Sequence, residues 1–307
     1  MERSAFNDNY PGAQLGLTLL MSFTGLFTFV SLAYLLVPAF FGVSFSQLQQ
    51  LGDFTNPKNI EIAKFIQIFL STGLFIIVPL VLAWIFSRNG FSYLKINNVP
   101  SGPKLFWVVI IIISAIPLIN LIATLNAHLK LPDFMSEIEK TLLEKEKENE
   151  GVTNAFLKVN TLSGFAINLL IISIIPAIGE EFFFRGILQR ILTNLTRNYH
   201  WGIVISGFVF SAIHMQFYGF FPRWLLGILF GYMFVWSGSL WLPILAHFIN
   251  NTMAVIASYL INANMLDAKT IDYGSTSDVW PITVAMSVLM LFGVYRLYKT
   301  RLLPGQA

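Results

Sequence analysis

Apolar runs long enough to cross a lipid bilayer recur along this chain, and no other property restricts its fold as much. A hydrocarbon layer roughly 30 Å thick needs about 20 apolar residues of helix. Runs of that kind lie at Leu15–Phe41, Ile62–Phe86, Leu105–Leu125, Leu162–Leu188, His200–Phe217, Phe221–Trp236, Leu240–Ile261 and Trp280–Leu297. They predict an all-α, polytopic membrane bundle of about eight transmembrane helices. Charged residues make up 11% of the 307, against about 25% in a soluble domain, and one large core does not explain that deficit. Trp107, Trp201, Trp224, Trp241 and Trp280 fall near the proposed ends, where aromatic rings favour the membrane–water interface.

Charge sets the expected orientation and excludes some partners. Eight spans place both termini on one side. Arg88, Lys95 and Lys104, then Arg190 and Arg197, then Arg296, Lys299 and Arg301 fall on that side too. The positive-inside rule makes it cytoplasmic. The opposing observation is the loop 126–161, whose five lysines and seven acids lie on the other side. A net charge of +3, dispersed along the chain, gives no footprint for nucleic acid. The absence of cysteine excludes disulfides, thiolate nucleophiles and Cys-ligated zinc. The N-terminal stretch Met1–Gln14 is polar with a single basic residue, Arg3. The apolar run after it is too long for a signal-peptide core and lacks a basic lead-in, so it reads as the first span.

The chain reads as one integrated membrane domain in three stretches. Residues 1–161 hold three helices and the charged loop, 162–261 the helices richest in intramembrane polar groups, and 262–307 the last helix and a basic tail. In the loop, Phe134, Ile138 and Leu142 recur every four residues among Glu and Lys, which predicts an amphipathic helix around Asp133–Glu148. Such a helix either lies on the bilayer surface or covers a cavity within it. No internal repeat is visible.

The informative stretch contains residues that a membrane rejects. It reads Pro176-Ala-Ile-Gly-Glu180-Glu181-Phe-Phe-Phe-Arg185-Gly186. An ionised carboxylate at mid-bilayer costs about 2.5–3.5 kcal/mol on insertion scales. Glu181 and Arg185 are spaced for a helical ion pair, with the acid N-terminal as such pairs prefer. Glu180 points about 100° away around the helix, so its partners must come from other helices. Pro176 cannot bond the carbonyl of Ile172 and should bend the helix beside the acids, while Gly179 lets another backbone approach. Of the four histidines, His128 and His200 fall at loop edges. His214 and His247 lie within apolar spans, and His247 shares a helical face with Asn251. A lone intramembrane histidine is usually a helix–helix hydrogen bond. Polar groups offered by three separate helices are instead the expected form of a functional site.

The order Glu180-Glu181-Phe-Phe-Phe-Arg185, then Phe210-Ser-Ala-Ile-His214, then His247-Phe-Ile-Asn250-Asn251 resembles the CAAX prenyl protease and bacteriocin-processing (CPBP, or Abi) family of intramembrane proteases. Each motif alone is weak; all three in order on successive hydrophobic helices are specific. The resemblance covers residues 162–261, about a third of the chain. It implies an eight-helix bundle around an internal catalytic cavity. It also implies hydrolysis of a peptide bond near the C-terminus of a membrane-associated substrate, prenylated in eukaryotic relatives. Membrane lipid and a membrane-associated or lipidated peptide are the expected partners. The 29 phenylalanines suit an isoprenyl or acyl chain, and ordinary lipid contact equally well.

Amide hydrolysis needs an activated water, a stabilised oxyanion and a proton for the leaving nitrogen. Glu180 is the candidate general base, His214 the group that positions or helps deprotonate the water, and His247 with Asn251 the oxyanion donors. Glu181 and Arg185 would brace the helix or bind a terminal carboxylate, with Phe210 as a supporting residue. The competing scheme makes Glu180, His214 and His247 three zinc ligands with water in the fourth position. There is no His-Glu-x-x-His helix, and an Asn beside a His suits an oxyanion donor better than a ligand, so the metal-free scheme is preferred. Readings of other classes are a proton-coupled transporter, in which buried Glu and His relay protons, and a non-catalytic scaffold that sequesters a membrane peptide. The motif order and the lack of a visible repeat disfavour the transporter.

Overall fold

The computed structural model describes residues 10–87, 89–267 and 280–301, so Arg3, Arg88 and the end of the basic tail lie outside the described residues. Among the described residues seven helices are long and apolar enough to cross a membrane. They are α1 (Pro11–Phe41), α2 (Pro57–Phe86), α3 (Gly102–Ala127), α5 (Leu162–Thr196), α7 (Phe220–Ser237), α8 (Trp241–Asn262) and α9 (Trp280–Lys299). Between them lie a polar helix α4 (Ser136–Leu157) and a shorter apolar helix α6 (Tyr199–Ala212). No strand occurs among the described residues. The expected all-α membrane bundle is the observed one.

The core divides into packed clusters that meet around α5 and α7. One joins Val78, Leu82 and Phe86 of α2 to Phe182, Ile187 and Ile191 of α5, Phe234 of α7 and Ile244 of α8. A second joins Val108, Ile111 and Ile112 of α3 to Phe230 and Met233 of α7, Leu242 and Ala246 of α8 and Leu297 of α9. In lipid, tail contacts are as apolar as core contacts, so close packing, with small residues at the crossings, holds helices together. At the α6–α7 crossing a Cβ on Gly227 would come within 3.0 Å of the Gly207 Cα. At the α2–α5 crossing a Cβ on Gly179 would lie 2.8 Å from the Phe75 Cβ and 3.2 Å from its carbonyl carbon. That is the close backbone approach the glycine beside the acids suggested.

The fifth apolar run departs from expectation. The pattern predicts a span over His200–Phe217, but the helix ends at Ala212. Fourteen residues extend about 21 Å, short of a full crossing. Ile213 and His214 form a turn, and Met215 adopts a left-handed backbone with φ 52°, which breaks the helix. Irregular backbone at membrane depth persists only where protein satisfies its polar groups. Here it does: Asn126 of α3 donates to the Phe217 carbonyl at 3.0 Å and accepts from the Phe221 N–H at 2.8 Å. Ser211 donates to the Phe220 carbonyl at 2.7 Å. His214 is therefore a loop residue held by neighbours, not a mid-helix residue.

The charged loop also differs in extent. Its helix runs on from Glu148 to Leu157. Phe134 and Ile138 are 86% and 52% exposed, whereas Glu146 is buried. The polar edge thus faces the protein: Glu146 accepts the Tyr218 N–H at 3.0 Å, and Asn149 donates to the His214 carbonyl at 3.3 Å. Lys64 and Asn168 both donate to the Phe156 carbonyl, at 3.1 and 2.7 Å, tying the helix's far end to α2 and α5.

The Gly179 contact gives a stability test. Alanine gains about 1 kcal/mol over glycine in a helix interior, but overpacking costs about 1–3 kcal/mol, so crowding against the Phe75 backbone wins. Gly179→Ala should lower the melting temperature of the detergent-solubilised protein. Gly16→Ala, which meets nothing within 4 Å, should leave it unchanged or raise it.

Candidate active site

The acids sit on a helix with interrupted winding. Within α5, wider π-helical turns occupy Leu169–Ile174 and Phe182–Leu188 and flank the regular turns Ile175–Glu181. Such insertions often mark functional sites because they re-aim side chains and free backbone groups. Pro176 has no N–H to offer the turn before it, and the Ile172 carbonyl takes its bond from another helix: the Asn251 amide of α8 donates to it at 2.9 Å. Asn251 therefore ties α8 to the bend in α5. Its oxygen accepts from the Asn250 amide at 3.2 Å, and its second amide hydrogen has no partner among the described residues.

One turn on, the predicted ion pair forms and gains a third member. Arg185 Nη1 lies 2.8 Å from Glu181 Oε1, with the residues 1% and 0% exposed. His247 Nδ1 lies 2.9 Å from the same oxygen. A carboxylate only accepts, so this places the proton on Nδ1. The other ring nitrogen, Nε2, is 3.9 Å from Glu180 Oε2. The imidazole of α8 thus spans the two adjacent carboxylates, and Glu180 finds on another helix the partner its own helix lacks. Arg185 Nη2 donates to the Gly227 carbonyl of α7 at 3.1 Å. Both terminal nitrogens of that guanidinium are committed, which favours the bracing role over substrate binding.

His214 approaches from the α6 loop. Its Nδ1 lies 2.7 Å from the Phe210 carbonyl; a carbonyl only accepts, so Nδ1 carries the proton and Nε2 of the neutral ring keeps a lone pair. Phe210 joins the constellation together. Its ring packs edge-on against His214 at 5.1 Å and His247 at 5.9 Å, and the Arg185 guanidinium lies 4.8 Å from its centroid. Phe230 of α7 stacks on the other side of His247 at 5.5 Å. The structure therefore gathers Glu180, Glu181, Arg185, Phe210, His247 and Asn251 around one helix junction, with His214 against the same phenylalanine. By contrast, His128 bonds its own turn at Thr124, and His200 lies against Tyr232, away from this group.

The zinc alternative can be tested on the donors. Among the described residues no three His, Asp or Glu side chains gather as a metal-holding group. A cavity of about 280 Å³ lined by Gln189, Arg190 and Tyr199 among others holds none of the motif residues.

Sequence reasoning missed several contributors. Glu146 and Asn149 of α4 secure the His214 loop, and their polar, charge-rich surroundings gave no sign of it. Arg223, on the first turns of α7, bonds Gln216 of that loop and interacts electrostatically with both Glu180 and His214. It was visible in principle, being the sole charged residue between Arg197 and Asp267.

Comparison with known proteins bears on the same segment. Residues 162–253 match the Rce1-like family, described as type II CAAX prenyl endopeptidase Rce1-like, in agreement with the motif resemblance. Two proteins of Bacillus subtilis (strain 168) are similar. One, named "Uncharacterized protein YpbD", is 32% identical over 89 residues, covering 27% of this chain and 41% of that protein. The other, named "Putative membrane peptidase YdiL", is 30% identical over 126 residues, covering 41% of this chain and 49% of that protein. The chain thus spans less than half the length of these curated relatives. No solved structure matches it.

The buried triad makes a prediction of its own. Removing one partner of a buried ion pair typically costs about 3–5 kcal/mol, because the other charge is stranded. Arg185→Met should destabilise the solubilised protein by that order, and adding Glu181→Gln should recover part of the loss. An unchanged melting temperature in the single variant would show that the pair does not hold the helices.

Proposed function

We propose that this protein is an intramembrane endopeptidase that hydrolyses a peptide bond of a membrane-associated substrate without a metal ion. The observation that carries the reading is the convergence of three separated motifs: a histidine from α8 bridges two adjacent glutamates of α5, and a second histidine shares their aromatic neighbour. The match of residues 162–253 to prenyl endopeptidases supports it, and so does the similarity to a protein named as a membrane peptidase.

The chemistry follows from the free atoms. Glu180 is the carboxylate with no direct hydrogen bond, held 3.9 Å from His247 Nε2, and acts as general base. It takes a proton from water as the oxygen attacks the scissile carbonyl carbon. The Nε2 lone pair of His214 orients that water. The tetrahedral oxyanion then accepts from Nε2–H of protonated His247, whose charge Glu181 stabilises through Nδ1, and from the second amide hydrogen of Asn251. The C–N bond breaks as Glu180 returns the proton to the departing amine. A lipidated peptide is the substrate class the family match favours, with the phenylalanine-rich helices receiving the chain.

Loss of the base should cost about 10²–10⁴-fold in rate. Glu180→Gln and His214→Ala should each abolish the cleaved termini that wild type generates, measured by comparative proteomics of membrane-protein termini. Unchanged cleavage in both would refute the assignment.

Activity should also survive prolonged chelation, and purified active protein should carry no stoichiometric metal by elemental analysis. Stoichiometric zinc whose removal abolishes cleavage would replace this mechanism.

A further inference from the structure

The guanidinium of Arg223 is built differently from that of Arg185. Its Nη2 donates to Gln216 Oε1 at 2.5 Å, which fixes the fork from one side. The side chain folds back over Gly219, where a Cβ would meet Nη2 at 3.0 Å and Nη1 at 3.4 Å. Nη1 is buried and has no hydrogen-bond partner. Among the described residues no carboxylate lies within ion-pair distance of it. The acids it interacts with, Glu180 before Glu146, act on it from beyond that distance. A guanidinium nitrogen withdrawn from water and left unpaired is costly. Here the cost is borne against the loop of the water-orienting histidine, through Gln216, and within electrostatic reach of Glu180 and His214.

We infer that Arg223 is a binding residue for a carboxylate carried by the substrate, held by its unpartnered Nη1 at the edge of the Glu180–His214 site. The inference rests on the protease reading. It moves terminal-carboxylate recognition from Arg185, whose terminal nitrogens are both bonded within the protein, to an arginine with a nitrogen to spare. An N–H of a guanidinium gives a carboxylate oxygen a charge-assisted hydrogen bond, about twice as strong as one to a neutral group. Gln216 and Gly219 act as positioning elements, one gripping the fork and the other leaving room for it. A carboxylate bound there sits within electrostatic reach of Glu180, so the enzyme would read the end of a peptide close to the bond it cuts. Either the chain terminus or an acidic side chain can supply the group.

The test measures binding separately from cleavage. Three fluorescent, S-farnesylated pentapeptides are titrated onto the detergent-solubilised His214→Ala protein, which holds them uncut. One ends in a free carboxylate, one in an amide, and one in an amidated Glu. A charge-assisted pair predicts that the free acid binds at least about tenfold more tightly than the plain amide. Adding Arg223→Gln should reduce that ratio to about one, and Arg223→Lys should restore part of it, as a charge without the fork would. Recovery of affinity in the amidated Glu peptide assigns the group to a side chain, and no recovery assigns it to the terminus. Equal affinity for acid and plain amide with Arg223 intact, including no measurable binding of either, overturns the inference whether or not the variants fold. Wild-type cleavage of the same peptides is scored independently. Acid-selective binding without any cleavage would sink the protease reading and leave the carboxylate site standing.

Discussion

Everything at the centre of this bundle depends on one carboxylate oxygen. Glu181 Oε1 receives Arg185 from its own helix and His247 from α8, both below 3 Å and out of contact with solvent. A buried anion must be neutralised by close partners, so the pair of contacts fixes the rotation of α5, the position of α8 and the tautomer of the histidine together. Arg185 extends the tie to α7 through the Gly227 carbonyl. Three helices that lipid alone would let slide are thereby held in one register. Glu180, next in sequence but turned elsewhere, has only the looser approach of His247 Nε2 at 3.9 Å and no direct hydrogen bond. Adjacent identical residues thus have different surroundings: one is used up in holding the structure, the other is not.

The winding of α5 makes this division workable. A regular helix would present Glu180 and Glu181 at a fixed angle and bury every carbonyl in its own ladder. Two π-helical turns and a proline relax both constraints. They release the Ile172 carbonyl to Asn251 and let a single imidazole reach both acids. A similar sequence of events occurs in α2, where the π-helical turn Gly73–Ile77 precedes Pro79. The two irregular helices pack where Phe75 meets Gly179.

Much of this was legible in the sequence. The apolar runs marked the seven spanning helices of the described residues, to within a few residues except that the helix of the acids continues to Thr196, because hydrocarbon thickness imposes a length that composition alone reveals. The motif residues were legible because charge in a membrane is conspicuous: Glu181–Arg185 paired as spacing required, and the environment of Glu180 came from another helix. Two features were hidden for physical reasons. The run His200–Phe217 is apolar throughout, and nothing local announces that Met215 turns left-handed; the reason for the break lies in hydrogen bonds from Asn126, Glu146 and Asn149, remote in sequence. The charged segment showed its apolar stripe but not that its polar edge faces inward, since amphipathicity names two faces without saying which one the protein takes.

That inward edge has a consequence for how the molecule can be divided. The matched stretch 162–253 contains the acids, both histidines and the amide, and looks like a transferable module. The peptide groups that shape the first histidine's loop find their complements elsewhere, in the side chains at 126, 146 and 149. Grafted alone into another bundle, the stretch would carry its motif residues intact and leave the loop's carbonyls and amides without these partners. The structural unit that shapes this site is therefore larger than the unit of sequence similarity, and includes side chains from two helices outside it.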